Sequence, residues 1–562
     1  MKGRVILRSL KGVTKRKGFP ILFLTLAYLT VAAFNLGYQH TPINGWRVSG
    51  YAVVYLELYS PTTVDSLYLL THDHTPLSLE VYAYKDGSWE FCRKFKDGYY
   101  YSWRQVDLKL KAVDRLKLVF YGSGGRIDEA VLLDNSGEKV AVKNIYSEEK
   151  DAARLFDEQE LVRFPFTYLS ETYFDEIYYV RTAENYLNME EPYEWTHPPL
   201  GKLILSLSIL LLGFNPFGWR FMGVLFSALM LPLLYFFSNR MFKSQVAALT
   251  STILIFFDFL HFTMGRMATV DTFAVFFIIL GHIFFFLNYD SLLTTGKLDT
   301  AKIVLGSVFF FLAFSVKWYA IYGYIGNIIL LLAILIKGAV TSTEPLKVRL
   351  WSMFLKPVTI LVAALILGGL VYLSTFIPYM TLGHNINDVI NRQWSMYSYH
   401  ANLKAEHPFS SSWWSWPLII RPLWLHISDL ADGMVSTIVA MGNPVIWWFG
   451  IAAVFVLLVD ALKSRDKAAV FLLVAFFSQW IPYMLITRCL FIYHFYMNVP
   501  ILILILTYFL KDLPKLKFGV WILTGFLIAA GLLFALFYPV ISGYPVSISY
   551  RDALRWFNSW IF

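Results

Sequence analysis

The sequence predicts a polytopic α-helical membrane protein with about 11 transmembrane helices and an outward-facing β-sandwich inserted after the first helix. Composition gives the first indication, because 57% of the 562 residues are hydrophobic, only 15% are charged, and the mean hydropathy is +0.53. Apolar stretches of about 20 residues, the length that crosses a bilayer, recur along the chain. Residues 48–146 alone break this pattern, with short alternating apolar runs typical of strands.

The N-terminal segment is basic and is followed by the apolar run Phe19–Tyr38. A cleaved signal peptide is the alternative, but no small-residue cleavage site follows the run. We therefore expect a basic cytoplasmic N-terminus at residues 1–19 and a retained first transmembrane helix at residues 20–37.

The predicted β-sandwich covers residues 38–165. Runs such as Val53–Leu58 and Leu77–Tyr82 have strand-like patterns, and turn sequences such as Lys85-Asp86-Gly87 separate them. The stretch Asp114–Asp134 resembles the late strands of a galactose-binding-like sandwich. Two interpretations stay open for this domain: a sugar-binding role, and a spacer or partner-docking role.

The remaining spans lie in residues 216–562, where hydropathy predicts a region of about 10 helices with a long outer loop at 379–444. The apolar stretch Leu200–Gly213 is about two-thirds of a spanning length. If it lies along the membrane surface, the basic clusters of the later loops share the cytoplasmic side with the N-terminus. The sandwich, a first outer catalytic loop with juxtamembrane helices at 166–215, and the 379–444 loop then share the outer face.

The distribution of charge disfavours nucleic-acid binding, and the cysteine content disfavours a disulfide framework or a cysteine metal site. The net charge of +9 comes from short basic clusters beside apolar runs, which encode membrane topology, so we expect no nucleic-acid binding. Cys92 and Cys489 provide neither a disulfide framework nor a CxxC metal site.

Candidate catalytic groups begin with the acidic pair Asp175 and Glu176, which starts an amphipathic stretch in the first outer loop. A solvated helix start is the alternative interpretation. His197 and Lys202 flank Pro198 and Pro199 at the entrance to the surface-lying stretch. Lys202 either contributes to a site or extends towards lipid phosphates.

Three cations lie within or at the ends of apolar segments: Arg220, Lys317 and Arg488. A charge at a helix centre costs roughly 2.5–3.5 kcal/mol on insertion scales, so we expect each to face a polar cavity. Such cations suit an anionic ligand, whereas the alternative is simple anchoring at the interface.

The turn from Asp258 to Asp271 adds carboxylates, His261 and Arg266. Asp258 and His261 share a helical face, but two ligands are too few to argue for a metal, and an ion-paired helix end is the alternative. In the long outer loop, aromatic and imidazole side chains suit stacking on sugar rings, or else form an interfacial belt. These are Tyr399, His400, His407, Trp413 and Trp414.

Six ordered blocks between about residues 170 and 500 resemble the protein O-mannosyltransferases. They are Asp175-Glu176, His197 to Lys202, Arg266 to Asp271, Ser315-Val316-Lys317-Trp318, Tyr399-His400 through Trp416-Pro417, and Gly442-Asn443-Pro444. In one respect the chain departs from the family, because its 379–444 loop is too short for the β-trefoil that eukaryotic members carry there.

The resemblance implies that a polyprenyl or dolichyl phosphate mannose donates its sugar, with inversion, to Ser or Thr hydroxyls of proteins at the outer face. The acidic residue of the first outer loop that acts as base in the family corresponds to Asp175, with Glu176 beside it. Donor-binding residues are expected to be His197, Lys202, Arg220, Arg266, Asp271, Lys317, Arg488 and His494. Acceptor- or sugar-binding residues are expected to be Tyr399, His400, His407, Trp413 and Trp414.

The expected partners are a membrane lipid donor and a protein or peptide acceptor, and an oligomer is compatible with this function. No obligatory cofactor or metal is expected, because Arg and Lys side chains are able to neutralise a phosphate leaving group. Two rival functions stay open: a lipid-modifying transferase similar to the aminoarabinose transferases, and a lipid-linked sugar transporter.

Overall fold

The structure, a computed structural model, describes residues 18–562 except His74 and Pro76. The predicted basic segment therefore lies outside the described residues as far as residue 17. Helix α1 (Phe19–Ala33) opens the described chain and carries Pro20 in its first turn, where a missing N–H group is tolerated.

A β-rich domain follows α1 and forms one five-stranded sheet with the order β3-β2-β4-β1-β5. Its strands are β1 (Trp46–Thr71), β2 (Leu77–Lys85), β3 (Ser88–Asp97), β4 (Ser102–Leu133) and β5 (Val142–Ser147). Tyr51 pairs with Tyr121 and Leu56 with Leu116, so partner numbers fall along β1 and the two strands run in opposite directions. The sheet confirms neither a sandwich architecture nor its predicted boundaries, which stay predictions.

The core of this domain collects alternate residues from both long strands. The two ends of β4 flank the second half of β1, where Leu70 pairs with both Trp103 and Glu129. Val54 from the first half of β1 and Leu69 from the second half lie in the same buried cluster. Period-two alternation of apolar and polar residues is therefore what builds this core.

The rest of the chain is mainly helical. Its helices are α2 (Glu176–Leu187), α3 (Leu200–Leu212), α4 (Pro216–Phe242), α5 (Gln245–Phe256), α6 (Phe259–Gly265), α7 (Asp271–Thr295), α8 (Thr300–Phe314), α9 (Ala320–Thr341), α10 (Leu346–Ser374), α11 (Ile377–Met380), α12 (Ile386–Asn402), α13 (Pro444–Ser464), α14 (Lys467–Trp480), α15 (Val499–Leu510), α16 (Gly519–Ser542) and α17 (Ile548–Ala553). A second sheet has the order β6-β7-β8, formed by β6 (Leu423–Asp429), β7 (Met434–Ala440) and β8 (Val546–Ser547).

Within the described chain, 8 helices are long and apolar enough to cross a membrane, or 9 if the bent pair α5 and α6 counts as one span. The polytopic membrane fold is thus confirmed. Helices α1, α3 and α8 are apolar but shorter, so the count of 11 spans stays a prediction. Residues 379–444, predicted to form a long outer loop, contain α12, β6 and β7, none of which was predicted.

The β-domain packs against the helical part through one buried cluster. From the domain it contains Leu70, Tyr101 and Trp103, and from the helical part it contains Ile177 of α2 and Trp219 of α4. The acidic pair at 175–176 therefore lies next to the junction between the two parts of the molecule.

Candidate active site

The side chains of the acidic pair, Asp175 and Glu176, separate at the start of α2. Asp175 is the N-cap residue, yet its side chain makes no capping hydrogen bond to the helix. Phe174, directly before it, has a φ of 48°, a left-handed conformation that bulky residues rarely adopt. The backbone thus turns sharply at this point, and the two neighbouring carboxylates enter different environments.

Glu176 points into the protein and is fully buried against Arg220 of α4. Arg220 Nε donates to Glu176 Oε1 at 2.7 Å, and Arg220 Nη2 donates to Oε2 at 2.6 Å, which is a bidentate pair. The same guanidinium donates to the carbonyl oxygens of Leu36, Tyr168 and Glu171. Both charged groups are thus saturated by contacts within the protein; the catalytic role of Glu176 and the donor contact of Arg220 stay predictions, and these contacts do not support them.

Asp175, in contrast, lines a cavity of about 970 Å³. The cavity is bordered by residues of five chain segments: the start of α2 and residues 193–198, 314–322, 397–403 and 483–494. Predicted site residues in its lining are Asp175, His197, Lys317, Tyr399, His400, Arg488 and His494. The fold therefore brings together residues that are more than 300 positions apart in sequence.

The Asp175 carboxyl group is half-buried in this lining. Burial raises its pKa to about 7, and although Lys317 opposes this shift, the nearby charges of Asp271 and Glu194 add to it. No described side chain donates a hydrogen bond to Asp175 within the protein. A carboxylate with a pKa near neutrality and free lone pairs is suited to accept a proton from a bound hydroxyl group.

Two cations lie in the cavity wall, and they differ in their partners. Lys317 Nζ donates to both carboxylate oxygens of Asp271, at 3.0 and 2.8 Å. Arg488 is half-buried in the lining and forms no ion pair with any described acid. Its guanidinium therefore supplies positive charge that the protein itself does not neutralise. Asp271 itself acts through Lys317 and is not part of the lining.

Glu194 is a buried residue of the lining that was not among the predicted site residues. Its Oε1 lies 3.0 Å from His197 Nδ1, and its Oε2 accepts from Lys202 Nζ at 2.6 Å. Burial alone would raise the pKa of Glu194, but Lys202 and His197 lower it well below the ordinary value. The spacing of eight residues between Glu194 and Lys202, across the stiff Pro198-Pro199 turn, was the available signal.

Lys202 is saturated in this cluster, because it also donates to the carbonyl oxygens of Glu194 and His197. Only 1% of its side chain is exposed, so neither donor contact nor extension towards lipid phosphates fits it. Its position instead fixes the turn that carries His197 into the cavity. The donor-binding role of Lys202 stays a prediction, which these contacts do not support.

His400 of α12 lies against this turn. Its Nε2 donates to the Thr196 carbonyl oxygen at 2.8 Å, and its ring centroid is 5.1 Å from that of His197. Burial, helped by the charge of His197, lowers the pKa of His400 to about 4, so the ring is neutral near pH 7. Its buried Nδ1 has no described hydrogen-bond partner and is available as an acceptor.

Four further predicted site residues lie outside the cavity lining. Arg266 is buried and donates to carbonyl oxygens of Phe34, Asn35 and Ser542, so it clamps the end of α1 to α16. His407 is exposed beside Phe491. Trp413 packs on Trp480, and Trp414 is 53% exposed. The predicted donor role of Arg266 and the sugar-binding roles of the other three are not supported by these positions.

In the turn from Asp258 to Asp271, Asp258 is occupied by contacts within the protein. Asp258 accepts from the His261 backbone N–H and from Trp447 Nε1, at 2.9 and 2.6 Å, so it caps α6. Among the described residues, no group of three or more His, Cys, Asp or Glu side chains is arranged to hold a metal ion.

Comparison with known families gives two adjoining matches. Residues 213–382 match the dolichyl-phosphate-mannose-protein mannosyltransferase model, and residues 385–560 match the C-terminal four-transmembrane region of protein O-mannosyltransferase. The chain belongs to the protein O-mannosyltransferase family. This assignment confirms the predicted enzyme class, a mannosyltransferase that depends on a lipid-phosphate sugar, and it favours that class over the lipid-modifying rival.

Curated relatives and a solved structure agree with the assignment. The chain is 23% identical over 431 residues to polyprenol-phosphate-mannose–protein mannosyltransferase of Mycobacterium tuberculosis, an alignment covering 65% of this chain and 80% of that protein. It is 24% identical over 422 residues to the Corynebacterium glutamicum protein of the same name, covering 65% and 81%. The Saccharomyces cerevisiae Pmt1–Pmt2 complex bound to the sugar donor has the same fold, with a TM-score of 0.59 at 14% identity, covering 70% of this chain and 89% of that one.

Proposed function

We propose that this member of the family is an inverting transferase that moves mannose from a polyprenyl or dolichyl phosphate to Ser and Thr hydroxyl groups of proteins. One observation carries the proposal: Asp175 and Arg488 line the same cavity. The half-buried Asp175 carboxylate makes no capping hydrogen bond to α2, and Arg488 has no acidic partner among the described residues. A proton acceptor and a phosphate-binding cation are the two groups that this reaction requires.

In the proposed reaction, the acceptor oxygen attacks the anomeric carbon on the side opposite the phosphate. A new carbon–oxygen bond forms while the bond from the anomeric carbon to the phosphate oxygen breaks, and its electron pair leaves with the phosphate. The Asp175 carboxylate takes the proton of the attacking hydroxyl group. Arg488, together with Lys317, offsets the charge that develops on the departing lipid phosphate.

The single displacement accounts for inversion and requires neither a nucleotide nor an obligatory metal. Both family matches begin after residue 212 and therefore do not include Asp175. The proposal that Asp175 is the base is supported instead by the resemblance of the segment around it and by its position in the cavity. A lipid-linked sugar transporter would use the same cations but would not need the carboxylate.

The proposed topology has 11 spans, with the N-terminus in the cytoplasm and both the cavity and the β-sandwich at the outer face. This count includes α1 and α8 and excludes α3. Helix α3 has 13 residues and is therefore about 20 Å long, whereas the hydrocarbon core is about 30 Å thick. Leu207, Leu210 and Leu211 on α3 are exposed, as expected for a helix that lies in the membrane surface.

Cysteine labelling tests this topology. In a Cys92→Ser, Cys489→Ser background, cysteines placed at positions 195 and 215 are both expected to react with an impermeant thiol reagent added from outside. Reaction of position 215 only from the cytoplasmic side would show that α3 crosses the membrane.

The function is tested with purified protein, polyprenyl-phosphate mannose and a Ser/Thr-rich peptide, followed by mass spectrometry of the peptide. One hexose per modified hydroxyl group, linked with inverted configuration, is expected. Donor binding without any glycosidic product would instead support a transporter, and transfer to lipid alone would support the lipid-modifying rival.

A further inference from the structure

The β-domain carries exposed aromatic side chains on the face opposite its core. On β1, Tyr51, Tyr55 and Tyr59 are 64%, 40% and 73% exposed, while the residues between them alternate into the core. Water-exposed aromatic rings in a row are unusual on a protein surface that has no ligand, because each ring leaves a large apolar area in water.

Neighbouring strands extend this row into a surface that we call the aromatic platform, formed by Tyr55, Tyr84, Trp89 and Tyr146. Tyr146 on β5 stands directly opposite Tyr55 on β1 in the strand register. The Trp89 ring on β3 lies 5.6 Å from that of Tyr55 and 5.2 Å from that of Tyr84. Three of the four, all except Tyr84, line a common cleft of about 600 Å³.

The charges in this cleft compensate one another. Glu57 Oε1 accepts from Lys143 Nζ at 2.9 Å, and Asp114 lies 3.8 Å from Arg115, so two acids face two bases. Asn144 also donates to Glu57, at 2.7 Å. A cleft without net charge does not attract a phosphate group, a nucleic acid or an anionic membrane, each of which requires an excess of basic residues.

The polar groups nevertheless provide donors and acceptors in fixed positions beside the rings. The Arg115 guanidinium is held over the Tyr84 ring at 3.8 Å, and the Glu57 carboxylate is held by Lys143 and Asn144. Hydroxyl groups of a ligand are able to bond to such groups, while its C–H face lies on the electron-rich face of an aromatic ring. Few ligand classes combine these two surfaces without a charge, and sugars in the pyranose form are among them.

The platform is also free of the contacts that hold the domain in place. The buried cluster between the β-domain and the helical part contains Leu70, Trp103 and Val131, and none of these residues lines the cleft. A ligand on the platform therefore does not have to displace the helical part.

We propose that this cleft binds an uncharged pyranose sugar carried by a glycosylated protein segment. The platform stacks against the C–H face of the ring, and Glu57 and Arg115 bond to its hydroxyl groups. The choice of mannose as that sugar rests on the proposed function, whereas the stacking and charge arguments do not. A mannosylated segment bound here would stay close to the transferase and raise its local concentration for further rounds of transfer.

The test uses the full-length protein in detergent, with methyl α-mannopyranoside as probe and ligand-observed NMR titration as readout. Trp89→Ala and Tyr55→Ala are each expected to weaken binding by about tenfold, because each removes a stacking surface. Phe91→Ala is the matched control, since Phe91 is on the same strand, is 57% exposed and does not line the cleft. It should bind as the wild type does, and all three variants should keep their peptide-transfer rate.

A second pair of variants separates this site from the cavity. Arg488→Met and Asp175→Asn should leave mannoside binding unchanged, even if transfer is lost. Binding that falls in Arg488→Met but survives in Trp89→Ala would place the sugar in the cavity and overturn the proposal, as would absence of binding by the wild type. If the peptide-transfer assay fails while the platform variants lose mannoside binding, the cleft is supported and the proposed function is not.

Membrane contact is the competing use of an exposed aromatic surface. A spin label is attached at Tyr59→Cys in the Cys92→Ser, Cys489→Ser background, and the protein is placed in liposomes. A water-soluble paramagnetic reagent should relax the label, and added mannoside should reduce this relaxation because it covers the label. Preferential relaxation by a lipid-soluble reagent would show that the platform lies on the membrane, and the proposal would be wrong.

Discussion

Arg220 and Arg488 are both cations beside apolar segments, but they differ in burial and in hydrogen-bond partners. Arg220 is fully buried, and its guanidinium bonds to Glu176 and to three backbone carbonyl oxygens. Arg488 lines the cavity without an acidic partner among the described residues. The difference shows that a cation saturated by the protein supports the fold, whereas a cation left unsaturated at a cavity is free for a ligand.

The same contrast separates the two adjacent acids. Glu176 is held by Arg220 and by the backbone N–H of Ala268, at 2.9 Å, which fixes the start of α2. Asp175, one residue earlier, is consequently directed into the cavity. The structural role of Glu176 and the proposed chemical role of Asp175 therefore depend on each other, although the two side chains do not share a partner.

Breaking the buried pair should have the largest effect on folding. Arg220→Met leaves the Glu176 carboxylate buried without a counter-ion, and loss of one partner of such a pair costs about 3–5 kcal/mol. We expect little folded protein, measured by size-exclusion chromatography in detergent and by thermal unfolding. Arg488→Met serves as the control and should fold normally; equal stability of the two variants would remove the distinction between the two arginines.

Removing the unpaired cation should instead affect the donor. Charge-assisted phosphate contacts contribute about 1.5–3 kcal/mol, so Arg488→Met should weaken donor binding by roughly 10–100-fold. Arg488→Lys keeps the charge and should recover part of the loss. Direct binding of polyprenyl-phosphate mannose to the purified variants measures this effect. Wild-type affinity in Arg488→Met would reduce Arg488 to an interfacial anchor.

A smaller effect is expected where the β-domain meets α2. His72 is buried between Asp128 and Glu184, and its Nε2 lies 3.0 Å from Glu184 Oε1. Burial alone would lower the pKa of His72, but the two carboxylates raise it to about 9. A raised pKa contributes stability that is full below pH 6.5, the ordinary value, and is lost as pH rises through about 9.

We therefore expect the thermal stability of the wild type to fall as pH rises from about 6.5 to about 9. The variant His72→Phe should be less stable at pH 6.5 and should lose this particular pH step. Limited proteolysis at the domain junction, followed across the same pH range, provides an independent measurement. A wild-type profile that is flat over this range would contradict the charge assignment.

Much of the fold was predictable because hydropathy and strand alternation are local properties of the sequence. The second sheet was not, because Val435 of β7 pairs with Val546 of β8, more than 100 residues away. Within the site, Asp175 and Glu176 are adjacent carboxylates with the same chemistry, so the sequence pattern does not show which one is the base. Only the family resemblance favoured Asp175. Lys202 and Arg220 were predicted to bind the donor. Their buried partners, Glu194 and Glu176, are not evident in the sequence, because only the folded chain brings each pair together.

In the proposed reaction, Asp175 accepts the proton of the acceptor hydroxyl group. Asparagine keeps the size of this side chain but is unable to accept the proton. The wild-type rate should increase with pH through about 7, because burial raises the Asp175 pKa to that value and only the ionised form is active.

The most direct measurement is the single-turnover rate of mannose transfer to a peptide by Asp175→Asn, with donor binding measured on the same preparation. Donor affinity should be retained, since Arg488 is unchanged, while transfer falls by roughly 10²–10⁴-fold and no longer rises through pH 7. Near-normal transfer by a folded Asp175→Asn protein would contradict the account and assign the base to another group.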